Sequence, residues 1–362
     1  MANRIEFKRP PARILLIALR YLGDALLTTP LLHSLKQAYP EAKIDMLIFR
    51  NTAGMFEGNA DIDQIIMTPN RPTFKELRSL TQRIFRRYDL AVAVQAGDRP
   101  FLYSLLAAPK RIAVVPPKGE TGWWKRNFLQ GHVEHDNENT HTVLQNLKLA
   151  DVLAIPRCYA LVPPRSEAAA PEAWIAEDRA YAVLHPYPQW TYKQWPLDGW
   201  ADIGRYLAEA GLQLVLSGGP AEQEIRFVAE LQKRLPENTV NLAGQLTLAQ
   251  LAQVIAGARC FIGPDTGITH LAAATRVPVI ALFGPTNPIK WAPWPCDYRQ
   301  DRNPFEKVGD QQVNNVALIQ GQGDCVPCDL EGCDRHRQSR SRCLDSLPSA
   351  TVKNRIRQVL GR

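Results

Sequence analysis

The chain has 362 residues, 45% hydrophobic and 22% charged, and its 43 Lys and Arg against 36 Asp and Glu leave a net charge of +7. That length exceeds one ordinary core and suits two globular domains. No run approaches the ~20 apolar residues of a membrane span, no apolar segment follows the basic N-terminus as a secretory signal requires, and no long Lys/Arg block of the nucleic-acid type occurs.

The expectation is therefore a cytoplasmic protein, and its positive balance suits small anionic ligands or an anionic membrane surface. Residues 13–19 read as a strand covered on both faces. Helical periodicity follows in "DALLTTPLLHSLKQAY", where Pro30 lies too deep for a first turn and should bend or restart the helix. Next come the strand "KIDMLIF", the strand "QIIMT", the helix "TFKELRSLTQRIFRR" and the strands "YDLAVAV" and "RIAVV". Residues 156–178 are rich in Pro and Ala without a period and read as a linker. The alternation then restarts with "AYAVLHP", "LDGWADIGRYLAEAG", "LQLVLSGGP", "AEQEIRFVAELQKRL", "TLAQLAQVIAGA", "RCFIGPDTG" and "VPVIALFGPT", and "SATVKNRIRQVLG" would close the chain. Alternating strands and helices mean parallel sheets with helices on both faces. The fold class is α/β, with two doubly wound Rossmann-like domains: residues 1–165, residues 166–346 including a Cys-rich segment at 325–343, and a C-terminal helix at 347–362.

In open parallel sheets ligands bind beyond the carboxyl ends of the strands. Four such ends carry glycine or polar residues: "RYLGD", "HPYPQWTYK", "SGGPAEQE" and "GPDTGITH". In the last, Asp265, Thr266 and Gly267 form a turn into a helix whose first N–H groups favour an anion, and His270 lies one turn in; a capped helix with nothing bound is the plainer reading. Gly218 and Gly219 permit close backbone approach, while Glu222 and Glu224 suit a helix start with or without a ligand. Lys193, among Thr191, Tyr192 and two tryptophans, could bind phosphate as a point charge, or the loop could simply pack over the domain edge. Gly23 should turn the chain off the strand, and Asp24 should begin the helix as a cap or as a base.

Three further groups have bland and functional readings. Asp61 and Asp63 have a Mg²⁺-binding spacing but precede a strand, at the wrong end for a site, and read as solvated turn residues. "GWWKRNF", with Trp123, Trp124, Lys125 and Arg126, could meet a membrane interface or a glycolipid, or be a loop anchored by buried tryptophans. Cys325, Cys328, Cys333 and Cys343 could hold a structural zinc, with His336 as an alternative ligand, or stay reduced, or form a redox-labile pair.

Taken together, "RYLGDALLTTPLLHSLKQAYPEAKID" and "FIGPDTGITHLAAATRVPVIALFGPTNPIKWAPW" resemble the opening and closing motifs of glycosyltransferase family 9, the bacterial heptosyltransferases of lipopolysaccharide core assembly. The Leu-Thr-Thr-Pro form and the "KQW" segment are most similar to its heptosyltransferase III subgroup. The resemblance implies a GT-B fold with an interdomain cleft, an ADP-heptose donor, a lipopolysaccharide inner-core acceptor, peripheral work at the cytoplasmic face of the inner membrane, and metal-independent inverting transfer with no required cofactor. It makes Asp24 the general base beside Gly23; the aromatic and basic residues Trp123, Trp124, Lys125 and Arg126 are read from their own composition as the rest of the acceptor side. It makes Lys193, with Thr191, the phosphate clamp, Glu222 the ribose ligand, Gly218 and Gly219 part of the donor turn, and Asp265, Thr266, Gly267 and His270 the donor cradle. The four-cysteine tail lies outside the best-known family pattern. Competing readings are a transferase or epimerase for another nucleotide sugar, and a non-catalytic nucleotide-sugar or glycolipid binding protein.

Overall fold

The computed structural model describes residue 5, residues 7–167 and residues 179–361. The later part of the expected linker, 168–178, lies outside the described residues. The chain divides into two units, Met1–Val162 with Arg299–Arg302, and Pro163–Tyr298 with Asn303–Arg362. The return of Arg299–Arg302 to the first unit has no sequence signal. Arg157 pairs there with both Asp151 and Asp301, which ties the excursion down.

Unit 1 holds β1 (Arg13–Ala18), β2 (Lys43–Phe49), β3 (Gln64–Thr68), β4 (Leu90–Ala93), β5 (Lys110–Val115) and β6 (Gly131–Glu134). They form one parallel sheet in the order β3-β2-β1-β4-β5-β6. Ile14 to Ala18 are wholly buried, as an unbroken apolar run covered by helices on both faces should be. The chain runs from β1 outward to β3, then crosses back to place β4 on the other side of β1. That reversal puts the switch point, where doubly wound sheets take ligands, between β1 and β4.

Unit 2 holds β7 (Tyr181–Leu184), β8 (Gln213–Leu216), β9 (Val240–Asn241), β10 (Cys260–Pro264), β11 (Val279–Phe283), β12 (Gln311–Val313) and β13 (Val316–Gln320). Their order is β12-β13-β11-β10-β7-β8-β9, and only the β12–β13 pair is antiparallel. Here the strand order reverses between β7 and β10, where Ile262 stands in register with Leu184. The expected doubly wound α/β class is the one observed in both units. The closing helix, Ser349–Leu360, packs Val352 and Ile356 into the core of unit 2.

Two elements carry no pattern that a sequence reading could use. The helix Thr142–Val152 is buried on nearly every side, Gln145 and Asn146 included, so it has no polar face to give it a period. The β12–β13 hairpin is made of short strands inside a polar stretch.

Candidate active site

The segment after β1 explains its own odd composition. Tyr21 is the N-cap of the short helix Leu22–Leu26, so Asp24 sits within the first turn and makes no capping bond. This corrects the expectation that Gly23 turns the chain and Asp24 begins the helix. A second helix restarts at Thr29–Ala38 with Pro30 in its first turn, where a missing N–H costs nothing. At the break side chains donate to the backbone carbonyls, at Ala25 O in addition to the Thr28 N–H (3.1 Å). Thr28 Oγ1 donates to Ala25 O (2.6 Å), Thr29 Oγ1 to Leu26 O (2.8 Å), and Asn146 Nδ2 to Leu27 O (3.0 Å). Thr29 Oγ1 in turn accepts from the Val162 N–H at 3.0 Å. The Thr-Thr-Pro run is thus the wiring that lets a helix stop and restart directly behind Asp24.

Asp24 is 12% exposed, and its Oδ1 is enclosed 4.0 Å from Arg20 Nη1. Neither Asp24 Oδ1 nor Arg20 Nη2 has a hydrogen-bond partner among the described residues. An unpaired buried polar atom costs about 1–3 kcal/mol, and here two lie side by side at a switch point.

Unit 2 concentrates its polar groups at the ends of β7, β8 and β10. Lys193 ends the short 3-10 turn Thr191–Lys193 after β7, and its Nζ lies 2.5 Å from Asp265 Oδ2, beyond the end of β10. Both side chains are largely buried, at 18% and 6% exposure. Thr266 caps the helix Gly267–Ala274 by accepting from the Thr269 N–H (3.4 Å), and His270 is buried one turn in. Asp265, Thr266, Gly267, His270 and Lys193 therefore do converge. Below them His185, the residue after β7, meets Ser217 Oγ at 3.1 Å, and burial pushes its imidazole down to about 4.

The lysine loop is braced from the Cys-rich segment. The Thr191 N–H donates to Arg337 O (3.2 Å), Ser341 Oγ donates to Tyr192 O (2.6 Å), and the Arg337 guanidinium lies 4.4 Å from the centre of the Trp190 ring. Trp195 then locks the loop's far end, fully buried against Trp200 and donating to Leu347 O at 3.0 Å. The bland reading of this loop, packing over the domain edge, describes Trp190 and Trp195 but not Lys193.

The Gly218–Gly219 turn serves a different residue from the one expected. A Cβ on Gly219 would lie 2.7 Å from Glu224 Oε2, so the glycine makes room for that carboxylate. Burial raises the Glu224 pKa, against the lowering effect of the Gly219 N–H that it accepts. Glu222, by contrast, is 76% exposed and paired with Arg226 on its own helix. The sequence signal separating the two was the spacing from the glycines, which a linear reading could not rank.

In unit 1, the "GWWKRNF" segment departs from the reading of a loop anchored by buried tryptophans. Trp123, Trp124 and Phe128 are about half exposed, while Lys125 is buried with Nζ 2.5 Å from Asp98. Arg126 is tied to Glu134 (3.1 Å), Trp123 O and Pro116 O. The tryptophans are therefore not buried anchors, and the two cations are committed within the fold. Asp61 and Asp63 are structural rather than merely solvated: Asp61 accepts from His33 (2.8 Å) and Asp63 from the Ile44 N–H (2.8 Å).

All four clustered cysteines are free thiols, Cys325 and Cys333 being exposed. Burial raises the Cys343 thiol pKa to about 11, and Cys325, Cys328 and Cys333 add to the rise electrostatically. Among the described residues, however, no group of three or more His, Cys, Asp or Glu is arranged to hold a metal ion.

The chain as a whole is similar to known proteins. Residues 77–317 match the family model of glycosyltransferase family 9 (heptosyltransferase). The chain is 30% identical over 293 residues to lipopolysaccharide heptosyltransferase 3 of Escherichia coli strain K12, covering 76% of this chain and 83% of that protein. A solved structure of a family 9 glycosyl transferase from Veillonella parvula superposes with a TM-score of 0.77 at 18% identity, over 96% of this chain and 97% of the other. That of the Escherichia coli ADP-heptose lipopolysaccharide heptosyltransferase II gives 0.71 at 20% identity, over 96% and 98%.

Proposed function

This chain belongs to glycosyltransferase family 9, and from that premise we propose that it moves heptose from ADP-heptose to the inner core of lipopolysaccharide, as a heptosyltransferase III does, at the cytoplasmic face of the inner membrane. The observation that carries the reading is the Lys193–Asp265 pair, seated where β7 and β10 part. A sugar nucleotide leaves as a diphosphate, and the protein must answer the negative charge that develops there. Lys193 supplies a cation, and the first N–H groups of the helix Gly267–Ala274 supply aligned dipoles beside it. Asp265 holds the ammonium at this edge, and an arriving diphosphate competes for the same N–H donors.

Asp24 takes the proton of the acceptor hydroxyl as the bond to the anomeric carbon forms. A single displacement of this kind inverts that carbon. Asp24 is suited to the task because no neighbour claims its Oδ1. The donor ribose is assigned to Glu224 rather than Glu222, since Glu224 lies over the Gly218–Gly219 turn while Glu222 pairs with Arg226 in solvent. Transfer is proposed to be metal-independent on the strength of Lys193 and the helix start as the charge complement, and turnover should survive excess EDTA.

The test is calorimetric binding of ADP, ADP-heptose, UDP-sugars and GDP-sugars. Preference for the adenosine forms supports the proposal. Preference for uridine or guanosine forms overturns the donor and favours a different nucleotide-sugar enzyme.

A further inference from the structure

Residues 71–87 of unit 1 carry six basic side chains, Arg71, Lys75, Arg78, Arg83, Arg86 and Arg87, against one acid, Glu76. All six are exposed, and none forms an ion pair among the described residues. Glu76 is occupied elsewhere: it closes a capping box with Thr73 and stands 3.9 Å from Arg50. Among these cations lie large apolar side chains in water. Phe74 is 83% exposed, Phe85 52% and Leu77 39%. The helix Phe74–Ile84 buries Leu80 and Ile84 beneath; Leu77, three residues before Leu80, lies at the edge of that buried stripe, and Phe74 and Arg78 turn away from it. Between this helix and the end of β3 is a cavity of about 430 Å³ whose lining includes Arg50, Thr68, Lys75, Ser79 and Arg83 and one carboxylate, Glu76, which faces Arg50.

The combination is unusual for a surface that meets only water. Exposed phenylalanine and leucine gain nothing there, and unpaired arginines at this density repel one another. Both terms change sign against an anionic bilayer, where rings enter the interface and cations meet headgroup phosphates. We propose that the helix Phe74–Ile84 with its Arg-rich end is the face by which this protein docks on an anionic membrane surface, the cavity at Arg50, Lys75 and Arg83 seating a headgroup phosphate. The "GWWKRNF" segment offers rings but no spare cations, since Lys125 and Arg126 are already paired. Electrostatic docking therefore belongs to residues 71–87. The inference gives the proposed use of a membrane-borne acceptor its location, and its test does not depend on donor binding.

The experiment is co-sedimentation of the full chain with vesicles of phosphatidylcholine alone, or with 30% phosphatidylglycerol, at two salt concentrations. Binding to the anionic vesicles that weakens with salt is expected. The variant R78Q/R86Q/R87Q, checked for an unchanged thermal melt, should lose on the order of 100-fold in vesicle affinity, at about fivefold per cation. Phe74→Ser should weaken binding at both salt concentrations. The proposal is overturned if the wild type ignores anionic vesicles, if the arginine variant binds as well as wild type, or if a Trp123→Ser/Trp124→Ser variant alone abolishes binding. Tighter binding to duplex DNA than to vesicles at the same salt would also overturn it, in favour of a nucleic-acid surface.

Discussion

At the end of β1 the carboxylate of Asp24 has only a distant arginine and one oxygen that nothing donates to, whereas at the ends of β7 and β10 Lys193 and Asp265 meet at 2.5 Å. The two edges are built from the same doubly wound topology, and the proposed roles of base and phosphate clamp account for the difference. A base must keep a lone pair that no neighbour holds. A phosphate clamp must keep a cation in place without leaving it bare in a buried setting, and a carboxylate partner does both until a stronger anion arrives. The supports differ in the same sense. Asp24 is backed by a helix break wired through threonine hydroxyls and Asn146, and Lys193 by a loop strapped to the Cys-rich segment.

Removing the bare carboxylate should produce the largest effect. Asp24→Asn keeps the shape and loses the base, and initial rates of heptosyl transfer should fall by about 10²–10⁴ in kcat. A fall of less than tenfold would assign the proton to another group. Lys193→Ala should cost roughly 10²–10³ in kcat and leave Asp265 as an unpaired buried carboxylate; near-normal turnover would remove it from the mechanism.

A third contrast is in pH. His185 is held neutral down to about 4, against its ordinary 6.5. As pH falls below 6.5 the unfolded imidazole takes a proton that the folded one refuses, so stability is lost progressively between 6.5 and 4. The loss should reach roughly 3 kcal/mol, at 1.36 kcal/mol per pKa unit. Urea denaturation of the wild type and of His185→Gln at pH 7 and pH 5 would show it, because the variant's stability should change less between the two. Milder still, Ser341→Ala removes one brace of the lysine loop and should lower kcat by less than tenfold, with the native melt retained. Last, Glu224→Gln should raise the donor KM several-fold while Glu222→Gln leaves it unchanged, and the reverse order would restore the exposed glutamate as the ribose ligand.

Much of this was legible in the chain because strand ends announce themselves. Apolar runs stopping at "RYLGD", "HPYPQW", "SGGP" and "GPDTG" place four polar clusters at carboxyl edges, and the structure puts three of them at the two switch points and the "SGGP" turn one strand away, after β8. What sequence spacing could not give was orientation. The cations of "GWWKRNF" turn inward and its tryptophans outward because Asp98 and Glu134, distant in sequence, claim Lys125 and Arg126. Glu222 and Glu224 look equivalent in a first turn, and only the packing of a glycine against one of them separates the pair. The helix Thr142–Val152 was hidden for the opposite reason, since burial on all sides erases the period that reveals a helix.

The most direct test of the division of labour is calorimetric titration of ADP-heptose into Asp24→Asn, with transfer measured on the same preparation. Donor affinity close to wild type together with lost turnover is expected, because the proposed donor site is Lys193, Asp265 and Glu224 and does not include the carboxylate after β1. Donor affinity falling along with turnover would place Asp24 in donor binding, and retained turnover would contradict its role as the base.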